Sequence, residues 1–385
     1  MHYFIYSQKD SWISSGSNRV TGVTEQDQNF GKDQILEIKK VFYNLSFDYP
    51  TRALIQFDSK DLTEISKSVS DGVITNPKYY LRLYEAEGNK EMSADYTLAA
   101  FPLSQSWDEG TGEFGDNPKV TNGCSWKNRI NQPNSDAVPW STSALSGIVN
   151  NPGGKYISSS GNFATQSFSH ESPDINMDVT RIVKNWITGS TSDSYNSNYG
   201  FLLRYSGSQE LESGSKFRGE LKFFSTQTNT IYSPKLEVRW DDSNESTGST
   251  EYSSLDISGN SDNFLYMIGL RDKYRENEKV KFRVGSRKQF VQKTFSTSVQ
   301  TLSSSFIPGC VSGSGSYSIL DVSTGETIIP FSDYTRLSHD ETSTYFTQWL
   351  NGFQPNRVYK IIYKLKYKDS QEQIFDNNFE FKVTR

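Results

Sequence analysis

The sequence predicts an all-β protein built from two β-sandwich domains, and three observations support this. The chain has 22 Tyr and 24 Phe among 385 residues, a composition that favours strands over helices. Short runs in which apolar and polar residues alternate recur along most of the chain. A polar stretch at residues 243–254 has the composition of a linker and separates predicted domains at residues 1–242 and 255–385.

The N-terminal domain is predicted from alternating runs of at most ten residues, the usual length of a sandwich strand. The first of these runs, HYFIYS, follows the initial Met directly, and the last is KLEVRW. In the run RALIQFD, the side chains of Ala53, Ile55 and Phe57 share one face of the strand. This regular alternation indicates one buried face and one face in water.

A long segment from Trp107 to Gln166 interrupts this pattern with many Gly, Asn, Pro and Ser residues. It contains four aromatic residues of interest: Trp107, Trp126, Trp140 and Tyr156. Because a structureless loop of this length is uncommon inside a compact domain, we expect the aromatic side chains to anchor it. The alternative is an exposed platform that stacks on sugars or on a partner surface, which makes these four residues the candidate binding residues.

One short amphipathic helix is predicted in the segment DVTRIVKNWITG. Its apolar residues recur with the spacing of a single helical face: Val179, Ile182, Val183, Trp186 and Ile187. Asp178 is the expected N-cap, with its carboxylate accepting a hydrogen bond from the first turn, and Gly189 is placed to end the helix. The apolar stripe needs burial and carries no reactive group, so we interpret the helix as scaffold.

The C-terminal domain, residues 255–385, is predicted to be an immunoglobulin-like sandwich. Seven alternating runs with turn signals between them fall within about 130 residues, as in that fold. Lysines border the long run near the C-terminus, where they protect a solvent face or a sheet edge: Lys360, Lys364, Lys366 and Lys368.

Charge and composition argue against several classes of function. The net charge is −5 without blocks of like charge, so we expect no nucleic-acid partner and no membrane partner. No apolar run approaches the length of a membrane span, and the first residues lack the layout of a signal peptide. The two cysteines, Cys124 and Cys310, lie far apart, so we expect reduced thiols rather than a disulfide.

No residue pattern predicts catalysis. The histidines are isolated in the sequence, without metal-ligand or nucleophile neighbours: His2, His170 and His339. Pairs of acidic residues close in sequence occur at three places: Asp58/Asp61, Asp108/Glu109 and Asp241/Asp242. None of these pairs predicts the two flanking carboxyl groups of a glycosidase, so we predict no enzymatic activity and no cofactor. The segment SWDEGTGEFGD leaves a structural calcium ion as the alternative to the last prediction.

The first 240 residues resemble the DNRLRE-type β-sandwich, a module similar to carbohydrate-binding jelly rolls. The resemblance depends on the order of these segments: KDSWISSGS, NFGKDQILEI, RALIQFD, YYLRLYEAE, SWDEGTGEF, GCSW, MDVTRIVKNWITG, NYGFLLRYS and FFSTQTNTIYSPKLEVRW. It implies a jelly-roll-like N-terminal sandwich, in which the helix packs across the open end as scaffold.

A second resemblance covers nearly the whole chain. The chain looks like virion structural proteins of long-tailed bacteriophages in five segments: GEFGDNP, GCSW, FFSTQTNTIYSPKLEVRWDDS, KVKFRVGSR and YFTQWLNGFQPNRVYKI. This implies a protein that assembles in the host cytoplasm without a signal peptide and belongs to the virion, at the neck or collar, tail, baseplate or capsid vertex. The implied partners are other virion proteins and copies of the same chain in a symmetric assembly.

Two functional hypotheses follow. The first is a non-enzymatic building block that acts through protein–protein contacts. The second is an adhesin that binds host polysaccharide, and it requires that some of the four candidate aromatic residues be more than half exposed. A polysaccharide-degrading enzyme would instead require two carboxylates that converge in a groove.

Overall fold

The computed structural model describes most of the chain, namely residues 1–16, 24–40, 50–87, 95–141, 148–149, 153–169, 174–189, 197–211, 219–244, 263–288, 295, 297, 303–304, 307, 315–366 and 372–385. Strands dominate these residues, which confirms the predicted all-β class. The described part contains three helices: α1 (Ser59–Ser70), α2 (Thr180–Thr188) and α3 (Gly207–Leu211). None of them has the length and apolar content needed to span a membrane.

The chain forms two compact units. The N-terminal unit consists of Ile5–Val73 and Lys78–Val238, and the C-terminal unit consists of Met1–Phe4, Ile74–Pro77 and Arg239–Arg385. The C-terminal unit therefore includes two short segments from the early part of the chain. Of the predicted linker at residues 243–254, positions 245–254 lie outside the described residues.

Strands β1 to β15 fall between His2 and Arg239. Their bounds are β1 (His2–Ser14), β2 (Ile35–Lys40), β3 (Thr51–Phe57), β4 (Lys78–Leu83), β5 (Glu85–Glu87), β6 (Asp95–Pro102), β7 (Asn128–Ile130), β8 (Val138–Pro139), β9 (Ile148–Val149), β10 (Tyr156–Ile157), β11 (Ala164–Ser169), β12 (Ile175–Asp178), β13 (Phe201–Tyr205), β14 (Gly219–Phe224) and β15 (Lys235–Arg239). Eight of these strands form one sheet in the order β11-β6-β13-β3-β1-β15-β4-β12. A smaller sheet has the order β2-β14-β5, and two further pairs are β9–β10 and β7–β8.

The alternation of apolar and polar side chains along its strands explains why the small sheet buries only one of its two faces. In β14, Leu221 and Phe223 are buried, whereas Glu220, Lys222 and Phe224 on the opposite face are partly exposed. The neighbouring strand β2 pairs with β14 in antiparallel register, and its Leu36 and Ile38 are buried on the same side. One face of the small sheet therefore belongs to the core, and the other, which we call the outer face, carries charged side chains.

The Gln166 side chain links the two edges of the eight-stranded sheet. Gln166 lies on the edge strand β11, and its Oε1 accepts a hydrogen bond from the backbone N–H of Asn176 on the other edge strand, β12, at 2.9 Å. Its Nε2 donates to the carbonyl oxygen of Asp174 at 3.2 Å. Gln166 thereby occupies backbone groups that an open sheet edge would leave free.

The prediction of a single helix in the N-terminal domain is wrong, because the structure also contains α1 and the short helix α3. Asp58, which we had noted only as half of an acidic pair, is the N-cap of α1 and accepts a hydrogen bond from the Lys60 N–H at 2.9 Å. The helix buries only Leu62 and Ile65. An apolar stripe this short gives a weak periodic signal in the sequence.

The predicted helix is present as α2 and ends at Gly189 as expected. Its N-cap is Val179 and not Asp178, because Asp178 is the last residue of β12. The Asp178 carboxylate nevertheless accepts a hydrogen bond from the Thr180 N–H at 2.9 Å. In the apolar stripe, Val179, Ile182 and Val183 are buried. Trp186 and Ile187 are partly buried.

The C-terminal unit contains strands β16 (Asn263–Ile268), β17 (Lys273–Arg275), β18 (Lys279–Lys288), β19 (Ser303–Ser304), β20 (Ser316–Asp321), β21 (Thr327–Ile329), β22 (Ser338–His339), β23 (Thr344–Trp349), β24 (Val358–Lys366) and β25 (Glu372–Thr384). One sheet has the order β16-β18-β23-β22, with β19 paired to β18, and the other has the order β17-β25-β24-β20-β21. Side chains of both sheets form one hydrophobic cluster. Across it, the Tyr317 and Phe346 rings stack with centroids 3.8 Å apart.

The long strand β24 alternates as the sequence predicted. Tyr359, Ile361, Tyr363 and Leu365 are buried, and the lysines between or beside them are partly or fully exposed. The Nζ of Lys360 forms an ion pair with Asp376 at 2.7 Å, and that of Lys364 pairs with Glu372 at 3.5 Å. Lys366 is exposed, and Lys368 lies outside the described residues.

Candidate functional site

The structure brings the four candidate aromatic residues together, but in the interior. Trp107, Trp140 and Tyr156 expose only 1%, 3% and 2% of their surface and belong to one hydrophobic cluster, against which the partly buried Trp126 packs. The indole N–H of Trp107 donates to the Tyr199 carbonyl at 2.9 Å. Because three of the four rings are covered, they do not form an open platform for sugars, and they anchor the long segment.

Asn29 holds the acid-rich loop in place. Its Nδ2 donates to the carbonyl oxygens of Glu109 and Cys124, at 2.7 and 2.8 Å. Its Oδ1 accepts hydrogen bonds from the N–H groups of Gly31 and Gly112, at 3.1 and 2.8 Å. All four hydrogen-bonding positions of the buried amide are thus used inside the loop.

Two glycines allow the loop to approach this amide. Gly110 and Gly123 both have positive φ, of 84° and 88°, a conformation that L side chains rarely adopt. A Cβ at Gly110 would collide with Asn29 Oδ1, and one at Gly123 would collide with the backbone of Gly110. The segments SWDEGTGEFGD and GCSW are therefore two sides of one internal hydrogen-bonded structure, which we call the Asn29 loop cluster.

The carboxylates of this loop bind groups of the chain. Glu109 forms an ion pair with Lys32 at 2.7 Å, and Asp108 accepts a hydrogen bond from Gln132 at 3.1 Å. Asp116 accepts a hydrogen bond from the backbone N–H of Glu113 at 2.7 Å. Among the described residues, no group of three or more acidic, His or Cys side chains is placed to hold a metal ion, so the calcium alternative has no site there.

Cys124 lies in the same hydrophobic cluster and is a fully buried free thiol. Burial raises the pKa of this thiol to about 12, which keeps it protonated and unreactive at neutral pH. Cys310, the other cysteine, lies outside the described residues.

A buried ionic triad lies next to the aromatic cluster. Arg52 of β3 forms two hydrogen bonds with the Glu210 carboxylate of α3, at 2.8 and 2.9 Å, and Arg204 of β13 donates a third at 2.7 Å. The Arg52 guanidinium lies over the Trp126 ring at 4.6 Å, and that of Arg204 lies over the Tyr156 ring at 5.2 Å. The triad joins two strands and a helix, and both oxygens of the Glu210 carboxylate are paired with arginines of the same unit.

A groove on the outer face of the small sheet is the best candidate for a ligand site. It has a volume of about 200 Å³. Residues from β1, β2, β5, β14 and two loops line it: Trp12, Asp33, Ile35, Glu37, Glu87, Phe114, Glu220 and Lys222. A concave site that combines aromatic and charged side chains in this way is typical of small-ligand pockets.

Aromatic rings form one wall of this groove, which we call the acidic groove. Trp12 stacks on Phe30 with ring centroids 3.7 Å apart, and its Nε1 donates to Asp33 Oδ2 at 3.1 Å. The Phe114 ring lies 6.2 Å from the Trp12 ring, and 53% of the Phe114 surface is exposed. Trp12 is thus fixed from behind, and Phe114 presents an open apolar surface at the rim.

Carboxyl groups with shifted pKa values form the other wall. Burial and the neighbouring Glu220 carboxyl together raise the pKa of Glu37 to about 8, although the Lys39 ammonium at 2.8 Å opposes the shift. Burial also raises the pKa of Asp33, against the hydrogen bond from Trp12. Clustered acids with raised pKa values in a concave site are a signature of functional surfaces.

The acidic groove was not predicted from the sequence, because the residues that line it range from Trp12 to Lys222. The antiparallel register of β2 and β14 places Lys222 opposite Glu37, and Lys222 also forms an ion pair with Glu87 of β5 at 2.7 Å. The available signal was the presence of charged residues at alternate positions in ILEIKK and GELKFF. That signal predicts an outer face, but only the strand pairing shows which charges meet.

No protein-family model matches the chain, and no curated protein matches it either.

Proposed function

We propose that this chain is a non-enzymatic structural protein of a bacteriophage virion. In this proposal it acts through contacts with other virion proteins and with copies of itself, at the neck or collar, tail, baseplate or capsid vertex. The N-terminal unit is a jelly-roll-like, DNRLRE-type sandwich, and the C-terminal unit is an immunoglobulin-like sandwich. The resemblance of the segments quoted above to virion structural proteins supports this proposal, together with the all-β character of both units.

One observation carries the proposal, namely that the described residues of the long segment Trp107–Gln166 make contacts within the unit. Its tryptophans pack in a hydrophobic cluster, and its backbone carbonyls and N–H groups bind the buried Asn29 amide. Long loops in enzymes instead present reactive groups to a cleft. A loop fixed in this way gives the unit a rigid surface, which suits assembly by shape and buried area.

The experiment is immunogold electron microscopy of purified virions from the phage whose genome encodes this chain. With an antibody against the chain, we expect gold particles at one defined position of the virion, together with detection of the chain by mass spectrometry of washed particles. Absence of the chain from washed virions, with the chain recovered only as free protein, would overturn the proposal.

A second candidate function is carbohydrate binding, which the acidic groove favours. We assign this role to the residues of the acidic groove and not to the four aromatic residues that the sequence suggested. Three of those four are buried, whereas Phe114 is exposed beside a groove of about 200 Å³. An exposed ring next to hydrogen-bonding groups fits a sugar, whose C–H face packs on the ring while its hydroxyls bind polar groups. We propose binding rather than hydrolysis, because Glu37 and Glu87 are each paired with a lysine.

A further inference from the structure

We propose that the acidic groove binds a sugar unit that carries a free amino group. This inference rests on the second candidate function, carbohydrate binding, and adds the charge of the ligand. It depends on three properties of the groove: its size and aromatic wall, its excess of carboxyl groups over ammonium groups, and an acid that lacks a cationic partner.

The size and the wall select a small ring-shaped ligand. A volume of about 200 Å³ is comparable to that of one sugar ring with its substituents. Phe114 offers an exposed ring at the rim, and Trp12 is held rigidly by its stacking on Phe30. A rigid aromatic wall loses little conformational entropy when a ligand packs against it.

The negative charge of the acidic groove favours a positively charged ligand. Four carboxyl groups line the acidic groove: Asp33, Glu37, Glu87 and Glu220. Two ammonium groups oppose them, since Lys222 lines the groove and Lys39 pairs with Glu37. Acidic groups therefore outnumber basic groups by two, and even with one carboxyl protonated the groove keeps a negative charge.

Asp33 is the acid best placed to receive the ligand's ammonium group. Its carboxylate accepts a hydrogen bond from Trp12 Nε1, yet in the described part of the chain it forms no ion pair. Burial disfavours its charged form, as the raised pKa indicates, and a bound cation would offset that penalty.

A lysine side chain of a neighbouring protein is the competing occupant. It carries the same charge, but its narrow aliphatic stem covers little of a ring-sized cavity and leaves the remaining hydrogen-bonding groups of the groove to water. A pyranose places hydroxyl groups around its ring, and these pair with the carboxylates that the ammonium does not reach. The geometry therefore points to the sugar.

The test is isothermal titration calorimetry of the full chain with three tetrasaccharides that share a β-1,4-linked backbone. The sugar units are glucosamine, N-acetylglucosamine and glucose, so only the group at one ring carbon differs. At pH 6 we expect the glucosamine tetramer to bind at least about tenfold more tightly than the other two, because only its amine is charged. Phe114→Ala and Asp33→Asn should each weaken that binding at least about fivefold.

Matched controls separate binding from folding. Phe163→Ala removes another exposed ring of the N-terminal unit, and Asp136→Asn removes another acid, one that is exposed and distant from the groove residues in sequence. Both should leave the affinity unchanged. Equal or tighter binding of the glucose tetramer would overturn the amine preference and leave carbohydrate binding standing. If a lysine peptide titrated alongside binds more tightly than the glucosamine tetramer, the sugar is not the preferred occupant and the inference is overturned. Failure of all three tetramers to bind would overturn both the inference and carbohydrate binding.

Discussion

Asn29 is the residue on which the conformation of the long loop depends most directly. Its amide makes four hydrogen bonds to backbone groups of the Asn29 loop cluster, and the residue is fully buried. Removal of such a group leaves several buried donors and acceptors without partners, and each unsatisfied group carries a penalty of about 1–3 kcal/mol.

We therefore expect Asn29→Ala to lower the free energy of unfolding by roughly 3–5 kcal/mol, measured by urea denaturation. The matched control is Asn122→Ala, which removes a partly exposed asparagine whose side chain, among the described residues, forms hydrogen bonds with Thr111 alone. That variant should lose less than about 1 kcal/mol, because water replaces its hydrogen bonds. Equal losses in the two variants would show that Asn29 has no special role.

Asp10 makes the stability of the protein depend on pH. Burial raises the pKa of its carboxyl group to about 7, although the hydroxyl and backbone N–H of Thr226 donate to it and oppose the shift. Within that net value, the nearby Glu109 contributes a small rise in the pKa and Lys32 a small fall. Between about pH 4 and pH 7 the folded state keeps a proton that the unfolded state has released, so stability falls as pH rises through this window.

The variant Asp10→Asn should remove this dependence, because asparagine stays neutral at every pH. At about 1.4 kcal/mol per pH unit, a window of about three units corresponds to roughly 4 kcal/mol. We expect the difference in unfolding free energy between pH 4 and pH 8 to shrink by roughly 2–4 kcal/mol in the variant, measured by urea titrations at each pH. Asp136→Asn is the control, and an unchanged pH profile for Asp10→Asn would contradict this reading.

At the scale of elements, Gln166 joins the edges of the eight-stranded sheet. Its side chain takes the place of one strand-to-strand backbone connection between β11 and β12. We expect Gln166→Ala to speed hydrogen exchange at the Asn176 amide at least about tenfold and to lower the unfolding free energy by roughly 1–2 kcal/mol. The measurement is amide exchange followed by nuclear magnetic resonance.

Ser169→Ala provides the control for this change, since Ser169 is an exposed residue on the same strand. Its replacement should leave exchange at Asn176 as in the wild type. If Gln166→Ala also leaves that exchange unaltered, the two edges are held together by other contacts and the assigned role of Gln166 is incorrect.

Elements with a strong periodic signal could be predicted from the sequence, and those with a weak one could not. The strand β24 and the helix α2 were predicted because four or more apolar side chains recur with one period in each. In contrast, α1 buries only Leu62 and Ile65, and its signal was lost among polar residues. Val179 became the N-cap of α2 because pairing of β12 with β4 extends through Asp178, a tertiary contact that sequence does not reveal.

The candidate site was harder to predict than the elements. For the four aromatic residues of the long segment, the sequence left two alternatives, anchoring by packing or an exposed platform, and the burial of Trp107, Trp140 and Tyr156 agrees with anchoring. The acidic groove was not predicted, because it needs the pairing of β2 with β14 and β5, strands that are far apart in the sequence. Composition indicates that such acids lie on a surface, while only strand register brings them together.

At the scale of the whole molecule, the two units share one feature, the use of aromatic side chains for internal packing. The N-terminal unit buries Trp107 and Trp140 in one hydrophobic cluster, and the C-terminal unit stacks Tyr317 on Phe346 between its sheets. Aromatic side chains that are buried or stacked inside each unit make both units rigid. Rigid surfaces lose little conformational entropy on association. This is the physical basis of the proposal that the chain acts by shape.

The proposal places this chain in a bacteriophage virion, and the most direct measurement of it is a cryo-electron microscopy reconstruction of those virions. The account predicts symmetric copies of both units, each burying at least about 1,000 Å² against neighbouring virion proteins. A reconstruction without density for the chain, from particles whose washed protein content also lacks it, would contradict the account.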